Sequence, residues 1–112
     1  MRRGTGGAAE RRALRHYRLR GYRVLGTNVW AGGYELDLVV RRGRRVVFVE
    51  VKSKSSARYG SALEMVGPEK VRRIRRAAAS FLAARPELRG LAVRFDVVAE
   101  QAGKLERFPS AF

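Results

Sequence analysis

The apolar positions along the chain follow two periodicities. Between Gly7 and Arg20, the positions Glu10, Ala13, Leu14 and Tyr17 recur at i, i+3, i+4 and i+7, one face of a helix, and Gly21 supplies a stop. Tyr22 to Trp30 reads as a first strand through Val24, Leu25 and Val29, after which Gly32-Gly33 turns the chain. Glu35 to Val40 and Val46 to Val51 are runs of Val, Leu and Phe far shorter than a typical helix, hence two more strands. Gly67-Pro68-Glu69-Lys70 puts proline just inside a second helix start, and Val71, Ile74, Ala78, Phe81 and Leu82 form its stripe, ending before Pro86. Leu91, Val93, Phe95 and Val97 then alternate with Ala92, Arg94, Asp96 and Val98 as a further strand. Ala102-Gly103 is a turn, with a weak final strand near Leu105. The order α-β-β-β-α-β predicts an α/β domain in which one mixed sheet is flanked by helices.

Register carries the next step. With Gly43 and Arg44 as a two-residue turn, glycine supplies the positive φ its first position needs, and Arg42 faces Arg45. Counting inward sets Asp37 opposite Glu50 and Glu35 opposite Lys52. Period-two alternation then predicts all four on one face, with Phe48 and Val46. Val46 to Val51 reads as an inner strand covered on both sides, so these acids are expected to be buried. Two facing carboxylates there require a shared proton, a nearby cation such as Lys52, or a divalent metal. The competing reading is a cross-strand salt-bridge set on a solvated face.

Composition narrows the partner. A chain of 112 residues that is 46% hydrophobic is expected to form one domain, here residues 8–112, behind a basic, glycine-rich arm at residues 1–7. With no cysteine, neither a disulfide, a thiolate metal site nor a cysteine nucleophile is available. The lack of cysteine fits a cytoplasmic protein, and since no run approaches the roughly 18 apolar residues of a membrane span, the protein is expected to be soluble. A net charge of +15 attracts polyanions, of which nucleic acid is the commonest inside cells. Lys54 and Arg58 on the loop after Lys52, and Lys70, Arg72 and Arg76 at the second helix, are the candidate nucleic-acid contacts. A solvated helix face is the plainer reading of the last two.

Carboxylate pair, lysine and positive surface together predict phosphodiester hydrolysis. Asp37, Glu50 and the Val51 carbonyl would hold Mg²⁺ or Mn²⁺, and Lys52 would orient or deprotonate the attacking water. Glu10, on the inward stripe of the first helix, is a candidate fourth acid. His16, the only histidine, lacks partners at ligand spacing and reads as a surface or packing residue. Trp30 and Tyr34 flank a turn and are expected to pack, stacking on exposed bases being the alternative. Asp96 is a further carboxylate in apolar company, a candidate for a structural role.

Asp37 with Glu50-Val51-Lys52 resembles the core of the PD-(D/E)XK nuclease superfamily, and Glu10 matches the extra acid of the archaeal Holliday-junction resolvase branch. Glu10-x-x-Ala13, Gly21-Tyr22, Asn28, Glu35-Leu36-Asp37-Leu38, Val47-Phe48-Val49-Glu50-Val51-Lys52, Tyr59-Gly60, Lys70 and Arg94-Phe95-Asp96-Val97-Val98 together resemble the bacterial YraN-like family. The likeness runs from about Gly7 to Glu100. It implies a restriction-endonuclease-like fold and a cytoplasmic bacterial setting, its nuclease role being an inference from the superfamily. Tyr34 stands where that family usually has glycine. The expected activity is thus Mg²⁺-dependent DNA cleavage, on branched or damaged DNA. A nuclease-like fold that binds nucleic acid without cutting is the alternative, and an RNA- or ribosome-associated protein a third. A domain this small covers only part of a branched junction, which a homodimer would extend.

Overall fold

Ala8–Arg18 forms helix α1 in the computed structural model, which describes residues 7–53 and 66–112. Glu10 in its first turn and Arg15, His16 and Arg18 in its last complement the helix dipole. Gly21, at φ +87°, ends it. The Tyr22 amide donates back to the Tyr17 carbonyl at 3.0 Å and the Gly21 amide to that of Arg18 at 3.1 Å, the paired bonds of a glycine cap. Ala9, Ala13 and Tyr17 are the buried face, close to the predicted stripe.

Three strands follow: β1 (Arg23–Ala31), β2 (Tyr34–Arg42) and β3 (Arg45–Ser53). Helix α2 (Pro68–Ala83), a 3₁₀ turn (Pro86–Leu88), β4 (Ala92–Gln101) and β5 (Lys104–Phe108) follow among the described residues. The sheet runs β1-β2-β3-β4-β5, antiparallel except for the parallel β3–β4 pair. Arg42 pairs with Arg45 across a turn in which Gly43 takes φ +59°, so the predicted register holds as far as Leu38 opposite Val49. Helix α2 connects the parallel strands, and β3 is buried from Val46 to Glu50.

Each side of the sheet has its own core. On one, Phe48, Val39, Leu36 and Val97 meet Ile74, Ala77, Ala78 and Phe81 of α2. On the other, Leu38, Val40, Val47, Val49 and Val98 meet Ala13 and Tyr17 of α1. Gly32 fits the β1–β2 turn against α2, where a Cβ would stand 3.1 Å from both the Ala77 Cα and the Arg76 carbonyl oxygen. No helix among the described residues is long and apolar enough to cross a membrane.

Asp96 ties α1 to the sheet. Its fully buried carboxylate takes a bidentate grip from Arg94 at 2.8 and 2.9 Å, the Tyr17 hydroxyl at 2.6 Å and the Ser110 amide at 3.1 Å. Burial and this carboxylate push the Tyr17 hydroxyl well above its ordinary value. The structural role open to Asp96 is therefore the one it has. Asp96→Ala would leave Arg94 and Tyr17 facing a void, and a loss of about 3–5 kcal/mol is expected from urea unfolding. A loss within about 0.5 kcal/mol, the range of surface substitutions, would show that these partners re-solvate freely.

Candidate functional site

Regular alternation fails at a bulge between Val24 and Gly26 of β1 and again around Asn28, and the acids gather at the second place. On β2, Tyr34 and Leu36 pack on the α2 side, whereas Leu38 and Val40, of the same parity, pack on the α1 side. On β1, Asn28 stands at φ +50° between Thr27, paired with Leu38, and Val29, paired with Leu36. Asn28 and Asp37 are the residues skipped between those pairs, and the faces of both strands invert across them. The β2–β3 pairs stop at the same level, at Leu38 and Val49.

Into the opened end of that ladder Asp37 turns its carboxylate, accepting the Val51 amide at 2.9 Å. In a strand the N–H and C=O of one residue point to the same neighbour, so the Val51 carbonyl faces the same gap. Asp37 also lines, with Glu10, Arg11, Leu14 and Asn28, a cavity of about 150 Å³ on the α1 side. Glu10 Oε2 accepts a hydrogen bond from the side-chain Nδ2 of Asn28 at 3.2 Å.

Glu50 occupies the α2 side of the same gap and is 5% exposed. Its Oε2 accepts the Tyr34 hydroxyl at 3.3 Å and lies 3.4 Å from Lys70 Nζ and 3.9 Å from Lys52 Nζ. Burial and the Asp37 charge nevertheless raise its pKa to about 7, against the pull of the two ammonium groups. The lysines divide their roles. Burial and the neighbouring Lys70 lower Lys52, whereas Lys70 is desolvated too but is held above an ordinary lysine by Glu50, 3.4 Å away. Burial and Glu50 push the Tyr34 hydroxyl up to about 12, so it stays a donor.

The donor set is two carboxylates and a carbonyl, all hard oxygen. Among the described residues no three His, Cys, Asp or Glu stand together as a metal cage. Two carboxylates and a carbonyl are oxygen donors that could hold Mg²⁺ or Mn²⁺ only together with waters or substrate phosphates.

Several expectations change against this geometry. Alternation placed Glu35 and Asp37 on the face of Glu50 and Lys52. Because the faces invert, Glu35 instead lies between two residues packed on the α2 side and so points to the α1 side, while Asp37 sits at the crossing itself. Trp30 was expected to pack, yet it is 72% exposed. Tyr34 does pack, and its hydroxyl is a site group that its aromatic character alone did not signal. Lys70, a candidate phosphate contact, is paired with Glu50. Arg72 is exposed and tied to Glu69, as is Arg73, while Arg76 is exposed. Lys54 and Arg58 lie outside the described residues. His16 is half-buried edge-on to Tyr17, and burial lowers its pKa.

Comparison with known proteins places the chain among relatives. A family model described as "Uncharacterised protein family UPF0102" matches residues 9–99. A UPF0102 protein of Dinoroseobacter shibae is 48% identical over 101 residues, covering 89% of this chain and 74% of the relative. Another, from Paramagnetospirillum magneticum, is 45% identical over 106 residues, covering 91% and 81%. A third, from Saccharophagus degradans, is 41% identical over 108 residues, covering 96% and 92%.

The raised Glu50 value has a direction that unfolding can read. With about 7 in the folded chain against 4.5 for a free carboxyl, the folded state binds more protons between those limits. The group's contribution to stability is therefore complete below pH 4.5 and is lost as pH rises through 7. Glu50→Gln, neutral throughout, is expected to gain stability relative to the parent between about pH 5 and 8 in chelator-treated protein, as urea midpoints would show. Parallel curves would mean that Glu50 is ionised across the whole window.

Proposed function

The chain belongs to the UPF0102 family, the YraN-like group related to the PD-(D/E)XK nucleases, and on that basis and the site's geometry we propose that it is a Mg²⁺-dependent DNA endonuclease. The observation that carries this is a buried Glu50 under the charge of Asp37 with two lysines within 4 Å of one of its oxygens. Asp37, Glu50 and the Val51 carbonyl are the groups that would hold the ion. When bound, the ion supplies positive charge that polarises the scissile phosphate and acidifies a water beside it.

The remaining work falls to side chains. Lys52, its pKa lowered by burial and by Lys70, is closer to neutrality than an ordinary lysine and accepts the proton of the attacking water. Lys70 stays cationic and offsets charge gathering on the phosphate oxygens as the bond breaks. Tyr34 fixes the orientation of Glu50. Glu10, held by Asn28 beside Asp37, adds a further acid on the opposite wall.

One observation favours a second reading, nucleic-acid binding without cutting. Glu50 is already paired within the chain, by Lys52, Lys70 and Tyr34, and so has cationic company without an ion.

The two part cleanly in experiment. Lys52→Ala and Asp37→Asn are each expected to reduce Mg²⁺-dependent cleavage by at least about 100-fold while leaving salt-sensitive DNA binding within about twofold. Linear, nicked and four-way-branched DNA, each with Mg²⁺, Mn²⁺ or chelator, are the substrates. Binding by the parent without metal-dependent cleavage of any of them would establish the second reading.

A further inference from the structure

Among the described residues, Trp30 is the one large aromatic side chain that the fold leaves in water. Val29 and Ala31 on either side of it pack into the α2-side core, so Trp30 points to the opposite side, the side that α1 covers. There it is 72% exposed on the edge strand β1. Asn28, two residues earlier, holds Glu10 on that same side, so Trp30 follows the acid-lined cavity by about 7 Å of strand.

The other border of that cavity is basic. Arg11, Arg15 and Arg18 recur at i, i+4 and i+7 along α1 and line a groove on its outer surface. Arg11 and Leu14 line both this groove and the cavity containing Glu10 and Asp37, so the two depressions adjoin. Among the described residues Arg15 and Arg18 pair with no carboxylate, unlike Arg72 and Arg73 of α2, which share Glu69. In order along one side of the molecule stand Arg18, Arg15 and Arg11, then the acids, then Trp30.

We propose that this side receives an unpaired DNA strand, with phosphates on the α1 arginines, the backbone crossing the Asp37 gap, and a base stacked on Trp30. Cationic residues that track a backbone, together with an aromatic platform, are what single strands require. A duplex with paired ends keeps its bases in its own stack and offers Trp30 nothing. The substrate class is then single-stranded, flapped or branched DNA with an unpaired nucleotide at the site. The identification of the acids as a cleavage site rests on the hydrolytic reading, whereas the binding track does not.

Trp30 is the only tryptophan in the chain, so its emission reports on its own environment. The full chain, with chelator present, is titrated with a 12-nucleotide oligothymidine and, at matched salt, with a blunt 12-base-pair duplex. Oligothymidine is expected to quench the emission and the duplex to leave it nearly unchanged. Trp30→Ala is expected to weaken oligothymidine binding, read by anisotropy of a labelled strand, by roughly 5- to 100-fold. Trp30→Phe should recover part of that loss, and duplex binding should change less than about twofold. Arg15→Ala combined with Arg18→Ala should weaken both ligands and lower the salt slope by about 1–2.

Unaltered emission at saturating oligothymidine would overturn the proposal, as would equal losses for strand and duplex in Trp30→Ala. An emission that shifts only with protein concentration would overturn it as well, by placing a second copy of the chain over Trp30. No step uses a divalent ion, so quenching by a protein that never cuts leaves this proposal standing and removes the hydrolytic one. Cleavage by the parent with unchanged strand binding in Trp30→Ala would do the reverse.

Discussion

Glu50 sits on the central strand at 5% exposure, where an unpaired carboxylate would cost several kcal/mol, comparable with the whole margin of a small domain. The surrounding structure is arranged around that cost. Lys52 comes from its own strand, Lys70 from the first turn of α2 and Tyr34 from the start of β2, all directed at Oε2. Even so, burial and Asp37 raise the pKa of the carboxyl to about 7, so the ion pairs offset the burial only in part. Functional sites and structural ion-pair networks both shift carboxyls in this way, so the arrangement of its partners, and not the shift alone, sets Glu50 apart.

The second buried carboxylate makes the contrast concrete. Asp96 is fully buried as well, but its partners are a bidentate guanidinium, a phenol and a backbone amide, with Arg107 at 3.5 Å. Guanidinium stays charged at any physiological pH and its planar fork matches a carboxylate. Lysine is a flexible point charge whose own pKa shifts on burial, as that of Lys52 does. One acid is therefore fixed in place and the other kept adjustable, within one sheet and on opposite sides of it. The difference lies in which cation each acid was given.

Much of this was legible in the sequence, and its limits are physical. The i, i+3, i+4, i+7 stripe located α1, Gly43 fixed the hairpin register, and the valine run marked β3 as a central strand, because each signal depends on a few neighbouring residues. The position of Asp37 depended on strand regularity, and Asn28 at φ +50° breaks that regularity from the neighbouring strand. No periodicity in β2 itself records the inversion. An asparagine among β-branched residues is the only hint, since asparagine tolerates the left-handed region better than most. Tyr34 and Trp30 are both aromatic residues beside one turn, yet one packs on the core and points at Glu50 while the other is in water. Their pairing across the turn decides it, Tyr34 with Ala31 on the α2 face and Trp30 with Glu35 on the other, and composition alone does not distinguish them. Lys70 read as a phosphate contact because its partner is twenty residues earlier in the chain and meets it only when α2 crosses over the sheet.

That crossing joins the site to the stability of the fold. Beyond the packing of Ile74, Ala77, Ala78 and Phe81 on the sheet, helix α2 is tied at two further places: by Gly32, whose lack of a Cβ lets the β1–β2 turn approach Ala77 and Ser80, and by Lys70 at Glu50 near the helix start. Pro68 at the first helical position fixes the direction in which α2 leaves Gly67, so Lys70 two residues later is aimed by the helix start as well as by its partner. A change that tilts α2 must therefore also move an ammonium group relative to a buried carboxylate. Since Coulomb energy between partly buried charges varies steeply over distances of 3–4 Å, small displacements of the helix are felt directly in the protonation of Glu50. The Lys70–Glu50 contact thus adds an electrostatic tie at the start of α2 to the apolar packing that holds the rest of the helix on the sheet.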